Sequence, residues 1–88
     1  MKQKKGFKLR NICGENIIVA EGIENIDFSK IISMNESSAY LWEQTRDRNF
    51  TVDDLCQLLL DEYDVDEKTA HADAEAVAAK WLEIGIIE

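Results

Sequence analysis

The stretch KIISMNESSAYLW, residues 30–42, is where the chain changes its structural period, and it decides the fold. Through Met34 the residues are extended and rich in β-formers, Ile31 and Ile32 among them. Asn35 is then a strong helix N-cap, and Glu36 suits the positive end of a helix dipole. Ala39, Leu41 and Trp42 follow as the apolar face of a helix expected to run to about Asp47. A β half ends here and a helical half begins.

Upstream of this switch, Phe7, Leu9 and Cys13 fall on one face of a strand, with Lys8 and Arg10 on the other. The residues GEN at 14–16 interrupt it and IIVA at 17–20 resumes, which reads as a hairpin. After a second break at 21–25, a third extended segment covers 26–34 and is most β-like from Lys30 to Met34.

Downstream, Arg48 to Phe50 form a loop and Thr51 caps a second helix, with Asp54 at the reciprocal capping position. Val52, Leu55, Cys56, Leu58, Leu59 and Tyr63 supply its buried face. A third helix starts near Asp66, rich in alanine, the residue with the best helix propensity. Its apolar stripe is Ala70, Ala74, Val77, Ala78, Trp81 and Ile84; Gly85 stops it, and Ile86 and Ile87 fold back on the core. Three antiparallel strands followed by three helices give an α+β fold, with the last two helices as a helix-turn-helix pair in a winged-helix-like domain. The 88 residues hold one domain, 1–88, with residues 1–6 as a basic arm of solvated charge.

Charge narrows the function. Residues 1–10 carry five bases and no acid, while the remainder carries five bases and 18 acids, +5 against −13. From Thr51 to Ile84 there are ten acids and two bases, Lys68 and Lys80. A DNA-reading helix must bring cations to phosphates, and this one offers Asp73, Glu75 and Glu83. Nucleic acid and membrane are therefore not expected partners. No apolar run approaches the roughly 20 residues of a membrane span, and a cytoplasmic location is expected. Cys13 and Cys56 read as small buried hydrophobes in a reducing compartment.

Catalytic chemistry finds no footing. His71 is the sole histidine, with no Cys or second His at ligand spacing, so it reads as a surface residue and no metal or cofactor is expected. The acidic pairs Asp53/Asp54 and Asp61/Glu62 sit at helix ends, where they serve caps and solubility. No phosphate loop, nucleophile elbow or triad is present, so the chain reads as no enzyme. Recognition of another polypeptide remains. A third strand at the sheet edge, Lys30, Ile31, Ile32, Ser33 and Met34, would offer unpaired N–H and C=O groups to an added strand. Ala74, Val77, Ala78 and Trp81 would floor a groove beside it, although the same stripe also reads as plain core.

The motifs now in view resemble those of the PqqD family. ISMNESSAYLWE at 32–43 is similar to the family's strand-to-helix segment, (V/L)xLNExxAxxW. FTVDDL at 50–55 resembles its second-helix start, LLDEYDVD at 59–66 its next connection, and WLEIGII at 81–87 its closing LxxxGLI. Met34 replaces the usual Leu, and Ser37 and Ser38 stand where Thr-Gly is common. The resemblance covers roughly residues 7–88. It implies a non-catalytic chaperone that binds the leader of a ribosomally made precursor peptide as a strand beside the third strand. It also implies presentation of that peptide to a radical S-adenosylmethionine enzyme, by a monomer or homodimer. Pyrroloquinoline quinone need not be the product. The alternatives are an acidic winged-helix adaptor for another protein and, third, a DNA-binding regulator.

Overall fold

The computed structural model describes residues 1–20 and 32–88. Three strands, β1 (Phe7–Ile12), β2 (Glu15–Ala20) and β3 (Ile32–Met34), precede α1 (Glu36–Gln44), α2 (Val52–Glu62) and α3 (Glu67–Ile84). The sheet is antiparallel in the order β1-β2-β3, so β3 is an edge strand. The α+β fold and its winged-helix-like element order are as the sequence pattern indicates. The expected strand residues Lys30 and Ile31 lie outside the described residues.

The β1–β2 turn is tighter than expected. Ile12 pairs with Glu15, leaving only Cys13 and Gly14 in the turn, both at positive φ (53° and 82°). That is the two-residue geometry matching the natural twist of paired strands. Cys13 is therefore exposed at the turn's tip instead of lying on the inner face with Phe7 and Leu9. Cys56, by contrast, is buried as expected, and both thiols are free.

Among the described residues, the register settles which backbone groups face the outer edge of the sheet. In a two-residue hairpin the flanking pair, Ile12 and Glu15, is hydrogen-bonded, and bonded and non-bonded pairs then alternate. On β2, Asn16 and Ile18 therefore direct their backbone groups toward β3, where they face Met34 and Ile32. Ser33 is left with its N–H and C=O pointing out of the sheet edge.

Each helix begins with the cap its sequence calls for. Ser38 N–H donates to Asn35 Oδ1 (2.8 Å) and Thr69 N–H to Asp66 Oδ1 (2.7 Å). Thr51 and Asp54 form a full capping box, at 3.2 Å and 2.9 Å. α1 ends at Gln44, short of Asp47. Its C-cap Thr45 turns inward and is fully buried, Oγ1 donating to Leu41 O (2.8 Å), while Asp47 takes a left-handed backbone (φ 60°) that no helix continues. Gly85 (φ 81°) closes α3, donating to the Trp81 and Leu82 carbonyls.

Two tryptophans organise the core. Trp81 meets Trp42 edge-to-face at a centroid distance of 5.3 Å and Phe50 at 6.3 Å. Ile18, Leu41, Leu55, Ile86 and Ile87 close around them, so the chain after Gly85 does fold back. The basic segment is not merely solvated charge. Lys2 and Glu88 exchange both backbone hydrogen bonds at 2.8 Å, Lys4 N–H donates to Ile86 O (3.0 Å), and Phe50 N–H donates to Met1 O (2.7 Å). Gln3, opposite Ile87, turns inward and donates to Trp42 O (2.6 Å) and Thr45 Oγ1 (3.1 Å). The short ladder leaves Lys2 and Lys4 exposed on the face opposite Gln3.

Candidate functional site

The strand-to-helix switch positions the site. Immediately after β3, Asn35, Glu36 and Ser37 line an open groove of about 380 Å³, closed on the other sides by Leu59, Tyr63, Val65 and Asp73. Leu59 is the buried floor, Tyr63 is half-buried, and Val65 is an exposed large hydrophobe. A neighbouring groove of about 640 Å³ runs along Ser33 and Met34 to Gly14, Glu15 and Asn16. The two meet at Asn35 and Glu36: the first is an apolar trough that reaches α3 at Asp73, and the second, beside Ser33, is lined mostly by polar groups.

Electrostatics add a sign. Among the described residues, Glu15, Glu36 and Asp73 line the two grooves and no Lys or Arg does. Burial raises the Tyr63 phenol above its ordinary value, and the Glu36 and Glu62 carboxylates push it the same way. Tyr63 therefore stays a neutral donor through the physiological range, packed edge-on against Tyr40 at 6.0 Å.

The residues expected to make the site part into two groups. Ile32 is half-buried, Ser33 exposed and Met34 buried, the alternation of a strand with one inward face. On α3, Ala74, Ala78 and Trp81 are enclosed in the core, at 0%, 3% and 2% exposure, so the plain-core reading describes these three. Val77 is only partly buried and lies one turn from Asp73, which is the α3 residue that reaches the groove. Sequence reasoning missed Asn35, Glu36, Ser37, Leu59, Tyr63, Val65 and Asp73 as groove residues. The usable signal was positional: the groove begins where the strand stops, and its α3 wall lies one step around the helix from the alanine stripe.

Among the described residues no cluster of His, Cys, Asp and Glu could hold a metal ion. His71 is exposed, 3.7 Å from Glu75 on the next turn. No described helix is long and apolar enough to cross a membrane. The outer face of α3 carries the exposed Asp73, Glu75 and Glu83, the wrong sign for phosphates.

An edge strand open beside a small apolar trough, on three strands and three helices, defines a binding domain of the α+β, winged-helix-like class. The chain belongs to the PqqD family: the model for coenzyme PQQ synthesis protein D matches residues 17–87. That family consists of non-catalytic binding proteins. Among solved structures, the chain is similar to TbiB1 in complex with the TbiA(beta) leader peptide. The TM-score is 0.73 at 14% identity, covering 100% of this chain and 95% of that one. No curated protein gives a significant sequence match.

Proposed function

We propose that this protein binds the leader of a ribosomally synthesised precursor peptide by strand addition at β3 and presents it to a radical S-adenosylmethionine enzyme. The observation that carries the reading is the outward-facing backbone of Ser33 beside the trough of Leu59, Tyr63 and Val65. The membership in the PqqD family and the likeness to a fold that holds a leader peptide in TbiB1 support it. Backbone bonds at the edge set register and supply affinity, and the trough selects side chains. The binding residues are Lys30, Ile31, Ile32, Ser33 and Met34 on the strand side. Ala74, Val77, Ala78 and Trp81 form the α3 side, the enclosed three acting from behind by fixing where Val77 and Asp73 stand. With apolar floor and acidic rim, the best leader carries an apolar residue flanked by Lys or Arg.

The test is an NMR titration of the labelled chain with the leader of a short peptide encoded beside its gene. Shifts should concentrate at residues 32–37, Tyr63 to Val65 and Asp73 to Val77. Ser33→Pro removes an outward donor without touching the β2 ladder, and should weaken binding about tenfold, the worth of one lost hydrogen bond. Ile32→Pro instead breaks an inward bond and disturbs the sheet itself. A folded Ser33→Pro chain that binds the leader as tightly as wild type sinks strand addition.

A further inference from the structure

At the far end of the molecule from the groove lies a second concavity of about 670 Å³, rimmed by Lys2, Lys4, Lys5, Lys8, Arg46 and Arg48. Asp47 and Glu88 are the acids that line it. A chain of net charge −8 thus gathers six of its ten bases around one cleft. Among the described residues Arg46 has a distant ion pair, 3.9 Å to Glu43, and Lys2, Lys5, Lys8 and Arg48 have none. The cleft is also held in place. Lys2 and Lys4 stand on backbone paired to Glu88 and Ile86, Gln3 anchors that backbone to α1, Lys8 stands on β1 opposite Val19, and Arg46 and Arg48 flank the turn at Asp47.

We infer that this cleft is a second binding site, and that it takes a short acidic stretch of a partner polypeptide. Unpaired cations on a fixed backbone attract an anionic ligand without first having to be ordered. The size of the ligand follows from the rest of the surface. Five or six paired residues span roughly 20 Å, and residues 11–88 around them carry −13. A run of a few Asp or Glu places its charge within the cleft alone. A nucleic acid, with a charge every ~1.7 Å of duplex, runs out of the cleft over the acidic body and is repelled there. The site lies by the start of β1, the sheet edge opposite β3, so both sites can be filled together.

The experiment is fluorescence anisotropy with the full chain and a labelled octaglutamate peptide, with octaglutamine and an eight-residue thymidine oligonucleotide alongside. Octaglutamate should bind at low salt and weaken as salt rises, while octaglutamine should not bind. Lys5→Glu with Arg48→Glu should weaken it about tenfold. Lys68→Glu with Lys80→Glu makes the same change in net charge on α3 and should leave binding as it was. Should the first pair not fold, Lys5→Gln with Arg48→Gln replaces it. Failure of octaglutamate to bind, tighter binding of the oligonucleotide, or equal loss in both double variants overturns the inference. The leader titration is read separately: Lys5→Glu with Arg48→Glu should keep its shifts at residues 32–37.

Discussion

The two ends of α3 are alike in construction and opposite in charge. At its N-terminal end, Asp66 caps the helix and the neighbouring groove is walled by Glu36 and Asp73. At its C-terminal end, roughly 27 Å away for 18 residues, there is no base in the last turn. Lys4 comes from the other end of the chain instead, its Nζ 3.8 Å from where a Cβ on Gly85 would stand. Each end thus carries the charge that the helix dipole favours. The difference lies in how the charge is delivered. The acidic end is built from α3's own Asp66 and Asp73 with Glu36 of α1, and the basic end brings Lys4 to Gly85 across more than eighty positions. One consequence is that the two ends can be broken together or singly.

Trp81→Ala breaks both. Its ring packs on both Trp42 and Phe50 in the shared core, and truncation leaves a cavity near the C-terminal end of α3 whose cost falls on the whole fold. A loss of about 3–5 kcal/mol is expected in urea unfolding, enough to leave a domain of this size partly unfolded. If Trp81→Ala melts close to wild type, the two ends do not share one core and the comparison fails.

How much of this was legible follows the same division. The alternation of Phe7, Lys8, Leu9 and Arg10, the Thr51/Asp54 box, the caps at Asn35 and Asp66 and the stop at Gly85 are all local, and the sequence shows them directly. The alanine stripe was legible as core, because small residues at helical spacing admit a neighbouring helix. What it did not show was that the α3 wall of the groove sits on the adjacent flank, at Asp73. Helical periodicity gives a face but not the partner that faces it. Cys13 was misplaced because inward alternation was extended into a turn whose positive φ values end it. The pairing of Gln3 with Ile87 has no local signal: a basic run with one Gln reads as solvated charge until the far end of the chain lies beside it.

Gln3→Ala breaks the basic end alone. It takes from the Trp42 carbonyl, in the last turn of α1, its short hydrogen bond and leaves it the longer one from Thr45 Oγ1 (3.4 Å), while the buried Thr45 hydroxyl loses the Gln3 donor. The cost is about 1–2 kcal/mol. Amide exchange at Lys4 and Glu88, whose N–H groups bond Ile86 and Lys2, should quicken. Exchange at Ser38 and Thr69, capped at the groove end, should not. Equal quickening at both ends would mean that the N-terminal ladder supports the whole fold instead of one end.

Asp66→Asn tests the acidic end with the smallest change. The Thr69 N–H and the Thr69 side chain bond the Asp66 carboxylate, which holds its pKa below the ordinary carboxylate range. The unfolded chain therefore takes up this proton at a higher pH than the folded one. The stability it contributes is present above the ordinary Asp value and is lost as pH falls through the depressed one. Asn keeps an oxygen for the Thr69 N–H but has no proton to take up, and Asn is as good an N-cap as Asp. At neutral pH the variant should fall slightly below wild type, since the charge no longer meets the helix dipole. The difference between them should shrink in urea melts carried down toward pH 3. A gap that stays constant with pH would show that the cap acts through hydrogen bonding alone, and that the charge at this end of α3 serves the groove and not the helix.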